Sequence, residues 1–167
     1  VSKLKEEYGE ERAQAIFESL LVRNKASIRV TDLSRKEEIK AALEASDSPL
    51  AASGLVKEQG HFAGHDLFVE GAITIQDESS QLVAPTLDLQ GDEQVLDACA
   101  APGGKTAHIA SYLTSGKVVA LDLYDHKLDL IQENAQRLGV ADRVQTQKLD
   151  ARKVHEFFGR DYFDKIL

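Results

Sequence analysis

Two kinds of hydrophobic spacing divide the chain. In its second half, short apolar runs alternate with stretches whose apolar residues recur every three or four positions. Gln94 to Ala98 reads as a buried parallel strand with Asp97 near its end, followed by Val118 to Leu121, ended by Asp122, and Val144 to Leu149, ended by Asp150. Between them, Ala107, Ile109, Ala110 and Leu113 mark a helix from Thr106. Leu128, Ile131, Ala135 and Leu138 mark another over 125–138, stopped by Gly139. A short helix over 152–158 leads to the apolar run Tyr162 to Leu167, read as the beginning of a fourth parallel strand. The alternation predicts a right-handed α/β sheet whose site lies at the carboxyl ends of its strands.

The first half reads differently. A short amphipathic piece around Leu4 and Tyr8 precedes a helix over 10–22 with Ala13, Ile16, Phe17 and Leu20 on one face. Ala26 to Thr31 reads as a strand. A helix then starts at Ser34, with Glu37 in capping-box spacing, buries Ile39, Ala42 and Leu43, and ends at Asp47-Ser48-Pro49. Ala51 to Val56 and Leu67 to Ile75 read as strands around the turn Gly60 to His65, and Asp77 to Leu89 as one helix presenting Leu82, Val83 and Leu87. We therefore expect a small α+β module over 1–70 and the beginning of an α/β domain over 71–167.

The candidate chemistry concentrates at Asp97-Ala-Cys-Ala-Ala-Pro-Gly-Gly-Lys-Thr106, where a strand passes through a glycine turn into a helix. Glycines let a ligand approach the backbone, and free helix amides face its polar groups. A dinucleotide fingerprint fails, because the corner's only glycines are the adjacent Gly103 and Gly104. A phosphate-cradling P-loop is a near miss that stays as a third, weaker option: Gly104, Lys105 and Thr106 supply its end, but Cys99 stands where its first glycine belongs. S-adenosylmethionine has no phosphate and carries a sulfonium cation, which suits acidic residues at strand ends and a single tight corner. Asp122 is placed to accept from ribose hydroxyls and Asp150 from an adenine amino group; each alone would read as a turn or cap residue.

The decapeptide resembles the cofactor motif of the Sun/Fmu-type RNA cytosine-5 methyltransferases, the bacterial ribosomal RNA members in particular. Gln76-Asp77-Glu78-Ser79-Ser80-Gln81, Ile28-Arg29-Val30 and Asp150-Ala151-Arg152 extend the resemblance over nearly the whole chain. It implies a Rossmann-like S-adenosylmethionine-dependent methyltransferase sheet and ribosomal RNA as partner, with an RNA-contacting module ahead of the catalytic domain. The expected cofactor set is Asp97, Cys99, Ala100, Ala101, Pro102, Gly103, Gly104, Lys105, Asp122 and Asp150. Ala100 to Lys105 would wrap the methionine part, with the amides of Gly103 and Gly104 facing its carboxylate. In such enzymes a cysteine thiolate adds to the cytosine ring, and a second cysteine assists elimination. Both lie in motifs expected beyond Leu167, so no catalytic residue is assigned here. Cys99 is expected to be a small, partly buried, inert thiol of the corner.

Composition sharpens some of this. Hydrophobic residues make up 43%, which is globular, and no apolar run approaches a membrane span. A lone cysteine fits a reducing compartment and a cytoplasmic protein. The net charge of −8 is spread through the chain, with 10 basic and 13 acidic side chains before residue 71 and 10 and 15 after it. That is not the basic stripe of a nucleic-acid binder. The rival reading is a catalytically dead adaptor that binds RNA or protein through residues 1–70 and keeps a methyltransferase-like scaffold. Gly60 and Gly64 argue against a helix that would pair His61 with His65 around zinc, so no metal is expected, and the oligomeric state is left open. Val1 at the start, the absence of methionine and the apolar end at Leu167 suggest a piece of a longer protein, expected to bind the cofactor weakly or not at all and to turn nothing over by itself.

Overall fold

In the strand β1 (Ala26–Val30), alternation sends Ile28 and Val30 to one face. There they join Ile39, Leu43, Leu55, Phe62 and Ile73 in a core of their own. Arg29, one residue out of phase, is only 2% exposed. The computed structural model that describes this arrangement covers residues 1–21 and 25–167. Strands β2 (Ser46–Asp47), β3 (Gly54–Lys57) and β4 (Ile73–Ile75) complete an antiparallel sheet in the order β2-β3-β1-β4. It therefore includes Ile73–Ile75, beyond the residue-70 boundary.

The second sheet has β5 (Gln94–Asp97), β6 (Lys117–Asp122), β7 (Val144–Lys148) and β8 (Lys165–Ile166), in the order β7-β6-β5-β8. All of its pairings are parallel, so all four strands end at one edge. Val95, Val118 and Ala120 face α7 (Gly104–Tyr112) and α8 (Asp125–Arg137) through Ile109, Ala110, Leu113, Ile131 and Ala135. Leu96, Val119 and Leu121 face the other way, toward Val154, Phe158 and Phe163. The period of two thus serves two separate cores from the same strands.

Several local expectations are corrected. α1 (Ser2–Tyr8) and α2 (Glu10–Leu21) form, but of the four-residue face only Ala13 is buried, and Leu20 is 75% exposed; Val22 lies outside the described residues. Asp32, not Ser34, caps the next helical segment: its carboxylate accepts from Ser34 N at 2.9 Å and from the Ser34 hydroxyl. α3 (Lys36–Leu43) stops at left-handed Glu44, so Asp47 is free to enter β2. The expected strand from Ala51 begins only at Gly54, because the Ser48 hydroxyl accepts from Leu50 N and Ala51 N in a turn.

Residues Asp66–Val69 form a helical turn, α4, instead of the start of a strand; His65 Nδ1 accepts from Leu67 N and caps it. The helix expected over 77–89 is two turns, α5 (Glu78–Gln81) and α6 (Val83–Thr86). Pro85 lacks the amide that a continuous helix would need, and Leu82 is exposed while Ala84 is buried. A 3-10 turn at Ala151–Lys153 precedes α9 (Val154–Phe158).

Arg137 near the end of α8 ties the two sheets together. It donates to Phe68 O at 2.8 Å, Ile73 O at 3.2 Å and Thr74 Oγ1 at 3.2 Å, and lies 3.9 Å over the Phe68 ring. Among the described residues, no helix is long and apolar enough to cross a membrane, and no group of three His, Cys, Asp or Glu residues is placed to hold a metal.

Candidate functional site

The strand order reverses at β5. The chain moves outward through β6 and β7, then returns to lay β8 against the other side of β5. Adjacent connections leave in opposite directions at such a reversal and open a crevice beyond the carboxyl ends. A cleft of about 360 Å³ lies there, lined by Ile75, Gln76, Asp77 and Ser80 on one side, and by Asp97, Cys99 to Pro102, Gly104, Lys105 and Leu167 on the other. The first four belong to the segment leaving the antiparallel sheet, so both sheets build the walls.

The corner is held rigidly. Ala100 N donates to Leu121 O at 2.9 Å, Gly103 N to Ala100 O at 2.7 Å, and Asn134 Nδ2 to Pro102 O at 2.7 Å. The Ala101–Pro102 peptide is cis. Gly103 has φ +98, and a Cβ there would sit 2.9 Å from the Ile131 Cα of α8. Only glycine fits that approach. Gly104 begins α7, and a Cβ there would meet only Gln76 Nε2, at 3.9 Å. The two neighbouring glycines therefore have different tasks.

This corrects one expectation: the Gly103 amide is spent on the turn and does not face a ligand. The amides of Gly104, Lys105 and Thr106 have no acceptor within the helix, since the first helical bond is Ala107 N to Gly103 O. Cys99 is a second correction. Its side chain is exposed on the cleft wall, not tucked into the corner.

Asp97 is 3% exposed and accepts from Thr106 Oγ1 at 2.7 Å. Burial pushes its carboxyl above the ordinary value, while Thr106, the Cys99 backbone and Lys105 pull it back. Asp122 ends β6, two residues past the partner of Asp97. Its Oδ1 accepts from Leu123 N at 2.7 Å. Asp150 follows β7 and is held by Arg152, whose side chain and backbone amide lower its pKa to about 2. The three aspartates thus share one edge of one sheet, but Gly103, Asp122 and Asp150 are not among the walls of the cleft. His126 and His155 are exposed.

Known proteins place this geometry. A model of the 16S rRNA methyltransferase RsmB/F family matches residues 84–167, half of the chain. The chain belongs to that family. It is 42% identical to the "Probable ribosomal RNA small subunit methyltransferase B" of Bacillus subtilis (strain 168), over 96% of this chain and 37% of that one. The ribosomal RNA small subunit methyltransferase B of Serratia proteamaculans (strain 568) is 40% identical over 60% of this chain and 23% of its own length. The RsmB/F chain described here therefore spans little more than a third of the Bacillus relative.

Among solved structures, a methyltransferase homolog protein from Pyrococcus horikoshii is 30% identical with a TM-score of 0.82, covering 95% of this chain and 54% of that one. NSun6 from Pyrococcus horikoshii with SFG superposes with a TM-score of 0.84 at 20% identity, over 93% of this chain and 66% of its own, a likeness of fold. The fold of this RsmB/F member is α/β: a Rossmann-like methyltransferase sheet preceded by a small α+β module.

Ile75, Gln76, Asp77, Ser80 and Leu167 also line the cleft, though sequence spacing marks none of them as a site residue. Gln76 sits in the Gln76–Gln81 run that carries part of the resemblance, and only the structure shows it on the cleft wall.

Proposed function

We propose that the cleft at the β5–β8 reversal holds S-adenosylmethionine, and that the whole protein methylates carbon 5 of a cytosine in small-subunit ribosomal RNA. The observation that carries this reading is the lining itself: Pro102 and Gly104 of the glycine corner and the buried carboxylate of Asp97 at the strand reversal, with Asp122 and Asp150 outside the walls but along the same edge of the sheet. When bound, the donor supplies an electrophilic methyl group. The residues bind and orient it. The α7 amides from Gly104 to Thr106 and Lys105 suit a carboxylate, and Asp97 suits the neighbouring ammonium. Asp122, with Oδ1 fixed by backbone amides, offers Oδ2 to ribose hydroxyls. Asp150 accepts from the adenine side and shares its carboxylate with Arg152.

Residues 1–70 are proposed as the RNA-contacting part and 71–167 as the beginning of the catalytic domain of a cytosolic protein. In this reading the nucleophilic cysteines lie beyond Leu167, and the 167-residue chain transfers no methyl group. Exposed Cys99 lines the donor's pocket and is not the nucleophile. Two measurements test the proposal. Titration calorimetry should find S-adenosylmethionine bound by the chain and weakened by about 1.5–3 kcal/mol in Asp122→Ala, the range for a hydrogen bond to a charged group. Labelled S-adenosylmethionine incubated with the chain and small-subunit ribosomal RNA should leave the RNA unlabelled. Unchanged affinity removes the ribose assignment, and incorporated label removes the claim that the nucleophile lies elsewhere.

A further inference from the structure

Gln76 is more than nine-tenths buried, yet its Nε2 has no hydrogen-bond partner among the described residues. The direction in which that amide points follows from its neighbour. Arg29 Nε donates to Gln76 Oε1 at 2.8 Å. A guanidinium has no acceptor, so the amide oxygen must face Arg29 and the NH₂ must face away. Gln81 Nε2 fixes the Gln76 backbone carbonyl at 2.9 Å, and Gln76 N donates to Ser27 O at 3.3 Å. The side chain is thus anchored at its oxygen and at both backbone groups, with a bare donor at its tip.

That tip is aimed at the first turn of α7. It lies 3.9 Å from the position a Cβ on Gly104 would take, and Gln76, Gly104 and Lys105 line the same cleft. An orphaned buried donor beside unpaired helix amides calls for an acceptor, and a negatively charged one above all. Buried Asp97 and nearby Asp77 line the cleft too. Two carboxylates disfavour a phosphate dianion and suit a group that carries a carboxylate and an ammonium side by side.

We propose that Gln76 Nε2, together with the α7 N-terminus, forms the subsite for the carboxylate of an α-amino acid, namely the amino-acid end of the methyl donor. This rests on the reading of the cleft as the S-adenosylmethionine site, and adds a residue from outside the glycine corner. Gln76 is a binding residue here, and Arg29 positions it.

The test compares S-adenosylhomocysteine with 5′-methylthioadenosine, which keeps the nucleoside and the thioether but lacks the amino-acid end. Wild-type chain should bind the first more tightly than the second. Gln76→Glu keeps an acceptor for Arg29, removes the NH₂ and sets a negative charge against the ligand's own. It should weaken S-adenosylhomocysteine about tenfold or more and leave 5′-methylthioadenosine unchanged. The double variant Arg29→Met/Gln76→Leu replaces both partners by apolar groups, guards against a folding artefact, and should show the same selective loss. Unaltered S-adenosylhomocysteine binding, or equal losses for both ligands in folded variants, overturns the subsite. Wild-type chain that binds neither ligand overturns the cofactor reading itself.

Discussion

Gly103 and Gly104 are adjacent, and replacing each by alanine should give opposite results. At Gly103, φ +98 lies in the region that L side chains avoid, at a cost of about 1–3 kcal/mol. The new Cβ would also stand 2.9 Å from the Ile131 Cα, a backbone atom of α8 that cannot rotate aside. Ile131 is fully buried in the core shared by α7 and α8, so relief requires the helices to part, which adds about 1–3 kcal/mol of overpacking. Gly103→Ala should therefore lose about 2–6 kcal/mol, a large share of the 5–15 kcal/mol typical of a domain.

At Gly104 the backbone is helical and the space is open, with Gln76 Nε2 at 3.9 Å as the nearest atom. Gly104→Ala should fold with unchanged or slightly higher stability, by up to about 1 kcal/mol. Its methyl group projects into the cleft, however, and should weaken ligand binding there. Urea unfolding followed by far-ultraviolet circular dichroism measures the first effect, and calorimetry with S-adenosylhomocysteine the second. A Gly103→Ala variant as stable as wild type, or a Gly104→Ala variant equally damaged, would refute this division of labour.

Two further variants probe the frame behind the cleft. Burial, reinforced by the charge of Arg29, lowers the His108 pKa from its ordinary 6.5 to about 3. Between those values the unfolded chain takes up a proton that the folded chain refuses, so stability falls as pH drops from 6.5. His108→Phe should flatten that slope in urea titrations run at several pH values; a parallel pair of pH curves would contradict it. Arg137→Ala removes the hydrogen bonds and the ring stacking that join α8 to the antiparallel sheet, and should cost about 2–3 kcal/mol. Lysine should not restore the loss, because it cannot reproduce the flat, forked contact; a full rescue in the urea midpoint would refute that.

Much of the parallel sheet was legible, because fully buried strands such as Val118 to Leu121 are continuous apolar runs and the helices between them keep a strict 3.6 period. The carboxylates at successive strand ends were legible for the same reason. The antiparallel half was harder. Leu67, Phe68 and Val69 favour a strand by type, yet the His65 cap turns them into α4. Ser34 and Glu37 matched a capping pattern, but Asp32, two residues earlier, caps better. The order β7-β6-β5-β8, which creates the crevice, depends on tertiary pairing and leaves no trace in spacing. Gln76 does not stand out in the sequence, because its meaning depends on Arg29, 47 residues away. The exposure of Cys99 leaves no mark in the sequence, because an apolar neighbourhood says nothing about which way a turn residue faces.

The most direct test of the cofactor cleft is a nuclear magnetic resonance titration of the isotopically labelled chain with S-adenosylhomocysteine. The amide signals of Gln76 to Ser80, Asp97 to Ala101, Gly103 to Lys105 and Asp122 should move together with one affinity. No movement, or movement confined to the hollow between Arg29, Ser111 and Arg143 on the other side of α7, would contradict a methyl donor at the β5–β8 reversal.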